Sequence, residues 1–314
     1  MQYVLYIVRR LAMLVPVLFG ITLVVFLLVK LVPGDPAVTL LGTHVTDEAV
    51  AALHEQMGLD QPWWHQYLTF LGNALQGDLG DSYQFRGVSV SSLVFGNLAP
   101  TVWLVVAGVV LAMVVTVPLA MISASRPGGA ADGAIRVIPL VGIGLPSFWV
   151  GIMLVLLLGL KFPILPVSGF GDSFASHLEH IVLPAMTVAL IQMPILIRSL
   201  RASLIEVLAS DYVVTARAKG LGRSRVLFGH ALRNASVSTV TVLGVNLAYL
   251  VGATVAVEKV FALNGIGYLM YNAILGRDLP VIQGVTLVFA VFVVLVNLAT
   301  DLAHAALDPR VRIG

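Results

Sequence analysis

The sequence predicts an all-α, polytopic membrane protein with six spanning helices and a small helical region outside the membrane after the first span. Three observations predict it. Hydrophobic residues make up 59% of the 314 positions and charged residues only 11%, with a mean hydropathy of +0.98; a soluble domain carries about 25% charge, so a solvated surface cannot be covered here. Charge-free stretches of the length needed to cross about 30 Å of hydrocarbon recur along the chain. Lysine and arginine alternate between the loops in a way that fits an even number of crossings. A soluble enzyme and a disordered chain, which needs low hydrophobicity and high net charge, are both excluded.

The first expected span is Leu11–Val29. Its apolar run exceeds the roughly 7–15 residues of a signal-peptide core, and Pro33-Gly34-Asp35-Pro36 follows it in place of a small-residue cleavage site, so it is expected to stay as an anchor. Pro100–Ser123, Val137–Leu160, Ile181–Ile197, Asn234–Val257 and Leu279–Thr300 are the other five, the fourth being the shortest. Arg9 and Arg10, Arg126 and Arg136, the seven basic residues from Arg198 to Arg233, and Arg310 and Arg312 then fall on one side. Lys30, Arg86, Lys161, Lys259 and Arg277 fall on the other. Positive residues mark the cytoplasmic side, so both termini are expected there. The formal net charge of +2 conceals the division: 13 basic against 5 acidic residues on the cytoplasmic side, and 5 against 11 on the other. A pI near 9.0 alone supports no nucleic-acid reading, which needs a clustered basic face.

Three regions follow: residues 1–31 as the anchor span, 32–98 as an extracytoplasmic helical cap, and 99–314 as a core with a cytoplasmic loop at about 198–235. In the cap, Pro62 suits a first helical turn. Trp64, Tyr67, Leu68, Leu71 and Leu75 then recur at helical spacing, with Gly77 as the stop. Thr46 is placed to cap an earlier helix carrying Val50, Leu53 and Met57. In the cytoplasmic loop, Ser210 or Asp211 is placed to cap a short helix through Lys219, ended by Gly220 and Gly222.

Catalytic chemistry is scarce. With no cysteine, disulfides, thiolate sites and cysteine nucleophiles are excluded. There is no G-x-S-x-G elbow and no H-E-x-x-H, since His54-Glu55 is followed by Gly58 where the second histidine would stand. His177, Glu179 and His180 cluster in a short loop that reads as solvated rather than metal-binding. No Gly-Lys pair exists, so the chain has no P-loop for ATP. The spans hold almost no ionisable residues, Glu258 and Asp301 lying at span ends, which argues against an ion-coupled carrier. Gln192, Asn246 and Tyr249 are the polar candidates for a pathway, helix–helix hydrogen bonding being the plainer role for each.

The loop is more specific than its charge. Asp211-Tyr212-Val213-Val214-Thr215-Ala216-Arg217-Ala218-Lys219-Gly220-Leu221, followed by His230-Ala231-Leu232-Arg233-Asn234-Ala235, resembles the EAA-type coupling loop of ABC importer permeases, and more narrowly the dipeptide/oligopeptide (nickel/peptide) group. Pro33-Gly34-Asp35-Pro36, Gly58-Leu59-Asp60-Gln61-Pro62, Gly77-Asp78-Leu79-Gly80, and Asn297, Asp301 and Asp308-Pro309-Arg310 match the same group in order along nearly the whole chain. The long segment after span one resembles the first of that group's two permease types. The resemblance implies a type I importer permease fold that supplies half of a translocation pathway in a cytoplasmic (inner) membrane. It implies a second homologous permease subunit, two ATPase subunits carrying ATP and Mg²⁺, and an extracytoplasmic substrate-binding protein as partners. No cofactor, metal or catalytic residue is expected in this chain, and no nucleic acid as partner. Asp211, Tyr212, Thr215, Ala216, Arg217, Ala218, Lys219 and Gly220 would couple to an ATPase, the small Ala216 and Ala218 allowing close approach. The sequence departs from the EAA pattern, with Val214-Thr215-Ala216 in the Glu-Ala-Ala positions, and its loop at about Lys161–His180 is short. Dipeptides or short peptides are the expected cargo, with nickel chelates, glutathione or another small solute as alternatives on the same fold. An intramembrane enzyme or a self-sufficient carrier remains as a different class.

Overall fold

In the computed structural model, residues 2–31, 34–42, 45–85 and 87–307 are described. Pro33, Arg86, Asp308, Pro309, Arg310 and Arg312 lie outside them, and with them part of the C-terminal motif. The helices are α1 (Gln2–Leu31), α2 (Pro36–Leu41), α3 (Asp47–Gln56), α4 (Trp63–Leu75), α5 (Val90–Gly96), α6 (Leu98–Ser125), α7 (Ala130–Ile143), α8 (Ser147–Leu154), α9 (Phe174–Leu208), α10 (Asp211–Ala218), α11 (Arg223–Val226), α12 (Leu232–Val260), α13 (Ile266–Gly276) and α14 (Leu279–Leu307). Short π-helical turns extend α8 through Lys161 and join α11 to α12.

Helices containing α6, α9, α12 and α14 are long and apolar enough to cross a membrane. Helix α1 has 30 residues, about 45 Å of rise, with an apolar stretch at Val15–Leu28. The third expected span is not one helix. It breaks at Gly144-Leu145-Pro146, where Pro146 stands as the cap of α8 with φ −61° and ψ 141°. A proline there cannot donate to the preceding turn, so α7 stops and α8 restarts. The fourth span is longer than expected: α9 has 35 residues, against the window Ile181–Ile197. Charges at Glu179, Arg198 and Arg201 end the apolar run but not the helix.

The chain divides into two units, one built mainly from Val102–Leu263 and the other from Val8–Thr101 with Asn264–Phe292. In the first, α9 is the central post. The most apolar window of α9 is 61% buried, against 28% for that of α12. At Gly108 an added Cβ would lie 2.4 Å from Val188 Cγ1, so only glycine lets α6 approach α9 this closely. Near the ends of these helices Ala120, Met121 and Ala124 of α6, Leu200 and Leu204 of α9, and Ala231 and Ala235 form a small-residue core.

In the second unit, Leu79, Val90 and Val94 pack with Ile266, Leu269 and Ala273 of α13 and Val281 and Val285 of α14. Asp278 fastens this core. It is 1% exposed, and its carboxylate accepts from the Ser82 hydroxyl, Tyr83 N at 3.1 Å and Gln84 N at 3.0 Å. The Gly77-Asp78-Leu79-Gly80 string makes the turn before it: Gly80 N donates to Asp78 Oδ1 at 2.9 Å, and Ser91 Oγ donates to Gly77 O at 2.6 Å. Thr46 caps α3 as expected, accepting from Ala49 N at 3.2 Å. Pro62 stands at the cap of α4, one position before the expected first turn. Asp35 caps α2 through Ala37 N at 2.9 Å and meets His54 Nε2 at 2.8 Å. The His54 hydrogen bond holds the Asp35 carboxyl below the usual carboxylate range.

Candidate coupling site and pathway face

Helix α10 begins two residues after the post α9 ends. Ser210 occupies the cap position in extended geometry, but its hydroxyl turns back to donate to Val207 O at 2.5 Å and makes no cap bond. Helix α10 therefore starts on backbone bonds alone, Val213 N and Val214 N donating to Ser210 O at 3.0 and 3.2 Å. It ends at Gly220, whose φ of +82° is a left-handed conformation that side-chain-bearing residues rarely adopt. Gly222 does not end this helix; its carbonyl accepts from Val226 N at 3.1 Å and begins α11.

Of the expected coupling residues, Asp211, Tyr212, Thr215, Arg217, Ala218, Lys219 and Gly220 are exposed and Ala216 is half-buried. One side chain on α10 faces inward: Val213, at 0% exposure. A second tie is polar. Asn234 Nδ2, near the start of α12, donates to the Tyr212 hydroxyl at 2.7 Å. These two residues sit in the two halves of the loop motif, so the structure gives its 22-residue spacing a physical meaning. Behind α10 a cleft of about 270 Å³ is lined by Ala124, Pro127, Ile205, Leu208, Arg217 and Leu227.

Next to this platform is a buried ionic clamp that sequence reasoning does not single out. Asp132, 1% exposed at the start of α7, accepts from Arg201 Nε at 2.6 Å and Nη2 at 2.8 Å. It also accepts from Ser123 Oγ at 2.5 Å and Gly128 N at 2.8 Å, while Arg201 Nε reaches Ser123 Oγ at 2.9 Å. Four donors with two parallel guanidinium bonds satisfy the carboxylate completely. Arg201, then Ser123 and Gly128, hold its titration well below the usual carboxylate range. The signal in the sequence is a lone acidic residue between Arg126 and Arg136.

The three pathway candidates separate. Gln192 is 5% exposed and faces into the helix packing. Asn246 is half-buried and spends its amide on Val242 O of its own helix at 2.7 Å. Tyr249 is 77% exposed. It belongs to a bare stripe on α12 formed by Asn234, Ser238, Thr241, Val245, Tyr249 and Gly252, which recur every three or four residues. Asn297 is exposed and Asp301 half-buried on α14. Asp308 and Arg310 lie outside the described residues. His177 and His180 direct their Nδ1 atoms at Phe170 O and Ser176 O, each at 2.8 Å.

A family model described as the inner membrane component of binding-protein-dependent transport systems matches residues 116–313, and its N-terminal companion matches residues 3–92. The chain belongs to this family. It is 36% identical over 311 residues to the oligopeptide transport system permease protein AppB of Bacillus subtilis, covering 98% of each chain. The dipeptide transport system permease protein DppB of Escherichia coli is 34% identical over 334 residues, again covering 98% of both. The glutathione transport system permease protein GsiC of Escherichia coli is 36% identical over 307 residues, with the same coverage. An inward-facing structure of the MetNI methionine ABC transporter aligns with a TM-score of 0.56 and 18% identity over 69% of this chain and 96% of that one. This permease of the inner membrane therefore has the type I importer fold, with the α9–α10–α12 region inside the family match.

Proposed function

We propose that this permease forms half of an ATP-driven import path for dipeptides or short peptides, and that α10 is the part that receives force from an ATPase subunit. The observation behind it is the construction of α10. Among the described residues, one buried valine and one side-chain hydrogen bond to Asn234 seat it on the protein, and its exposed surface carries Asp211, Thr215, Arg217 and Lys219. A helix so exposed is poorly stabilised on its own at eight residues. Docking into a cleft on another protein would supply the missing contacts. Small residues at Ala216 and Ala218 would let that cleft close around it.

The remaining parts follow from the same reading. A second homologous permease would face the bare stripe of α12, with Tyr249 on the path between them. Two ATPase subunits would hold ATP and Mg²⁺, and this chain supplies none of that chemistry. A binding protein would deliver peptide from the outside, and both termini would lie in the cytoplasm, a reading that the basic loops support. Glutathione, itself a short peptide, is the second reading for cargo, because GsiC is as similar to this chain as AppB.

The test is co-expression with candidate ATPase, permease and binding-protein partners, followed by uptake of labelled dipeptide and glutathione into proteoliposomes. Gly220→Asp should abolish ATPase co-purification and uptake while the chain still inserts. Full uptake with Gly220→Asp, or uptake by liposomes holding this chain alone, would overturn the assignment.

A further inference from the structure

Helix α4 is expected to belong to a water-facing cap, yet its contacts place it beside the spanning part of α1. Tyr67 is 3% exposed. Its hydroxyl donates to Phe19 O at 2.9 Å and lies 2.9 Å from Thr22 Oγ1. Its ring packs on Phe19 and Phe26, with centroids 5.5 and 5.4 Å away. Phe70, one turn on, shares a crevice with Thr22 and Val25 of α1 and with Thr286 and Leu287 of α14. Thr22 sits seven residues inside the span boundary at Val29, about 10 Å along the helix axis. Half of a hydrocarbon core is about 15 Å thick, so Tyr67 and Phe70 lie within it. Gln66, at the other end of this contact, accepts from Lys30 Nζ at 2.5 Å, the level where α1 leaves the apolar region.

A neighbouring stripe on α4 has no cover among the described residues. Trp64 is 53% exposed, Leu68 56% and Leu75 90%, at spacings that set them on one face; Trp63, also 53% exposed, stands beside them. The stripe carries no charge. The flank of α1 is likewise bare and apolar at Val17, Phe19, Val24, Leu27 and Leu28.

We propose that α4 is a membrane-embedded helix whose Trp64–Leu68–Leu75 stripe contacts lipid. The two tryptophans stand within one turn of Gln66, which is bonded to Lys30 near the end of the apolar run, and indole rings favour the headgroup boundary. Leu68 follows Tyr67 directly and shares the Trp64 face, and Leu75 continues that face two turns on. The depth argues for lipid over a soluble partner, because a docking protein would have to enter the bilayer to reach Leu68. The bonding of Tyr67 fits this setting, since Phe19 O and Thr22 satisfy its hydroxyl, as a polar group in hydrocarbon requires.

The absence of cysteine in this chain makes the test direct. Nitroxide labels at Leu68→Cys and Leu75→Cys, in the complete transporter reconstituted in lipid with thiol-free partners, report collision with oxygen, which enters lipid, and with a water-soluble nickel chelate. Asp47→Cys on exposed α3 is the aqueous control. We expect oxygen collisions to exceed nickel collisions several-fold at both leucine sites, the reverse at Asp47, and peptide uptake retained in all three. Nickel access at Leu68 and Leu75 equal to Asp47 would overturn the proposal and return α4 to water. Access by neither reagent, or protection that appears only when binding protein is added, would overturn it in favour of a protein partner.

Discussion

Helices α4 and α10 are built alike and finished differently. Each is short, each fully buries one side chain and ties down a tyrosine hydroxyl, and each leaves a face uncovered. In α4 the anchors coincide, since Tyr67 is both the buried ring and the bonded hydroxyl; in α10 they are split between Val213 and Tyr212. The bare stripe of α4 is tryptophan and leucine, with His65, Thr69 and Asn73 exposed on another side, whereas the exposed surface of α10 mixes Tyr212 and Val214 with Asp211, Thr215, Arg217 and Lys219. The same economy of attachment therefore serves two media. An apolar face is stable only against hydrocarbon or protein, and a charged face only against water or a polar partner. Weak attachment also suits a part that moves with a partner, the role proposed for α10 and not for α4.

The sharpest way to break this comparison is to remove the plug. Val213→Asp sets a carboxylate in a site with no solvent exposure, at a cost of several kcal/mol. Helix α10 should detach, and ATPase co-purification and uptake should both be lost, with Val213→Ile as the conservative control. If the aspartate variant still binds ATPase and transports, burial of Val213 is not what seats α10.

Next in size is the clamp under the same platform. Asp132→Asn removes the charge that Arg201 neutralises and leaves a half-buried guanidinium without its counter-ion, so the solubilised protein should melt at a clearly lower temperature. The sign of the pH dependence follows from the depressed titration. The Asp132 carboxylate contributes fully above the unfolded carboxylate value near 4 and fades only as pH falls below it. The gap in melting temperature between wild type and Asp132→Asn should be constant from pH 8 to pH 5 and narrow in stronger acid. A gap that narrows already between pH 8 and 6 would contradict the clamp.

These two sites also show what the sequence could and could not disclose. The bounds of α10 are readable to within a residue, because Asp211 through Gly220 carry both helix chemistry and a stop. The length of α9 is not. Counting apolar residues finds the membrane window, and Glu179 and Arg201 lie on the helix beyond it. The break at Pro146 is readable as a proline near a span, but not as a restart, since other spans hold proline inside an unbroken helix, as Pro118 does in α6. Asp132 with Arg201, Asp278 with Ser82 and Tyr67 with Thr22 are pairs 69, 196 and 45 positions apart. Local periodicity carries no information at such separations, so the clamp, the fastening of the second unit and the depth of α4 emerge only from the fold.

A smaller effect sharpens the α10 side. Tyr212→Phe keeps the ring and removes the acceptor for Asn234, a largely solvent-exposed bond worth about 0.5–1.5 kcal/mol. ATPase should still co-purify, while peptide imported per ATP hydrolysed should fall by about 2–10-fold. Asn234→Ala should do the same, and the double variant should lose no more than either single one, because both remove one bond. Additive losses would mean that the two residues act separately.

The smallest expected effect lies on the α4 side and tests whether charge holds that unit at all. Asp35 and His54 pair at 2.8 Å, but each side chain is about one third exposed, so water screens the pair and its contribution is about 0–1 kcal/mol. Asp35→Asn keeps an oxygen for the α2 cap and removes the charge. The melting temperature should fall by less than about 3 °C, since 1 kcal/mol moves a chain of this size by a few degrees at most. Tyr67→Ala, which empties a ring site packed on Phe19 and Phe26, should cost more than Asp35→Asn by a wide margin. If the ion-pair variant proved the more damaging, the unit containing α4 would be held by surface charge, and its resemblance in design to the buried anchoring of α10 would fail.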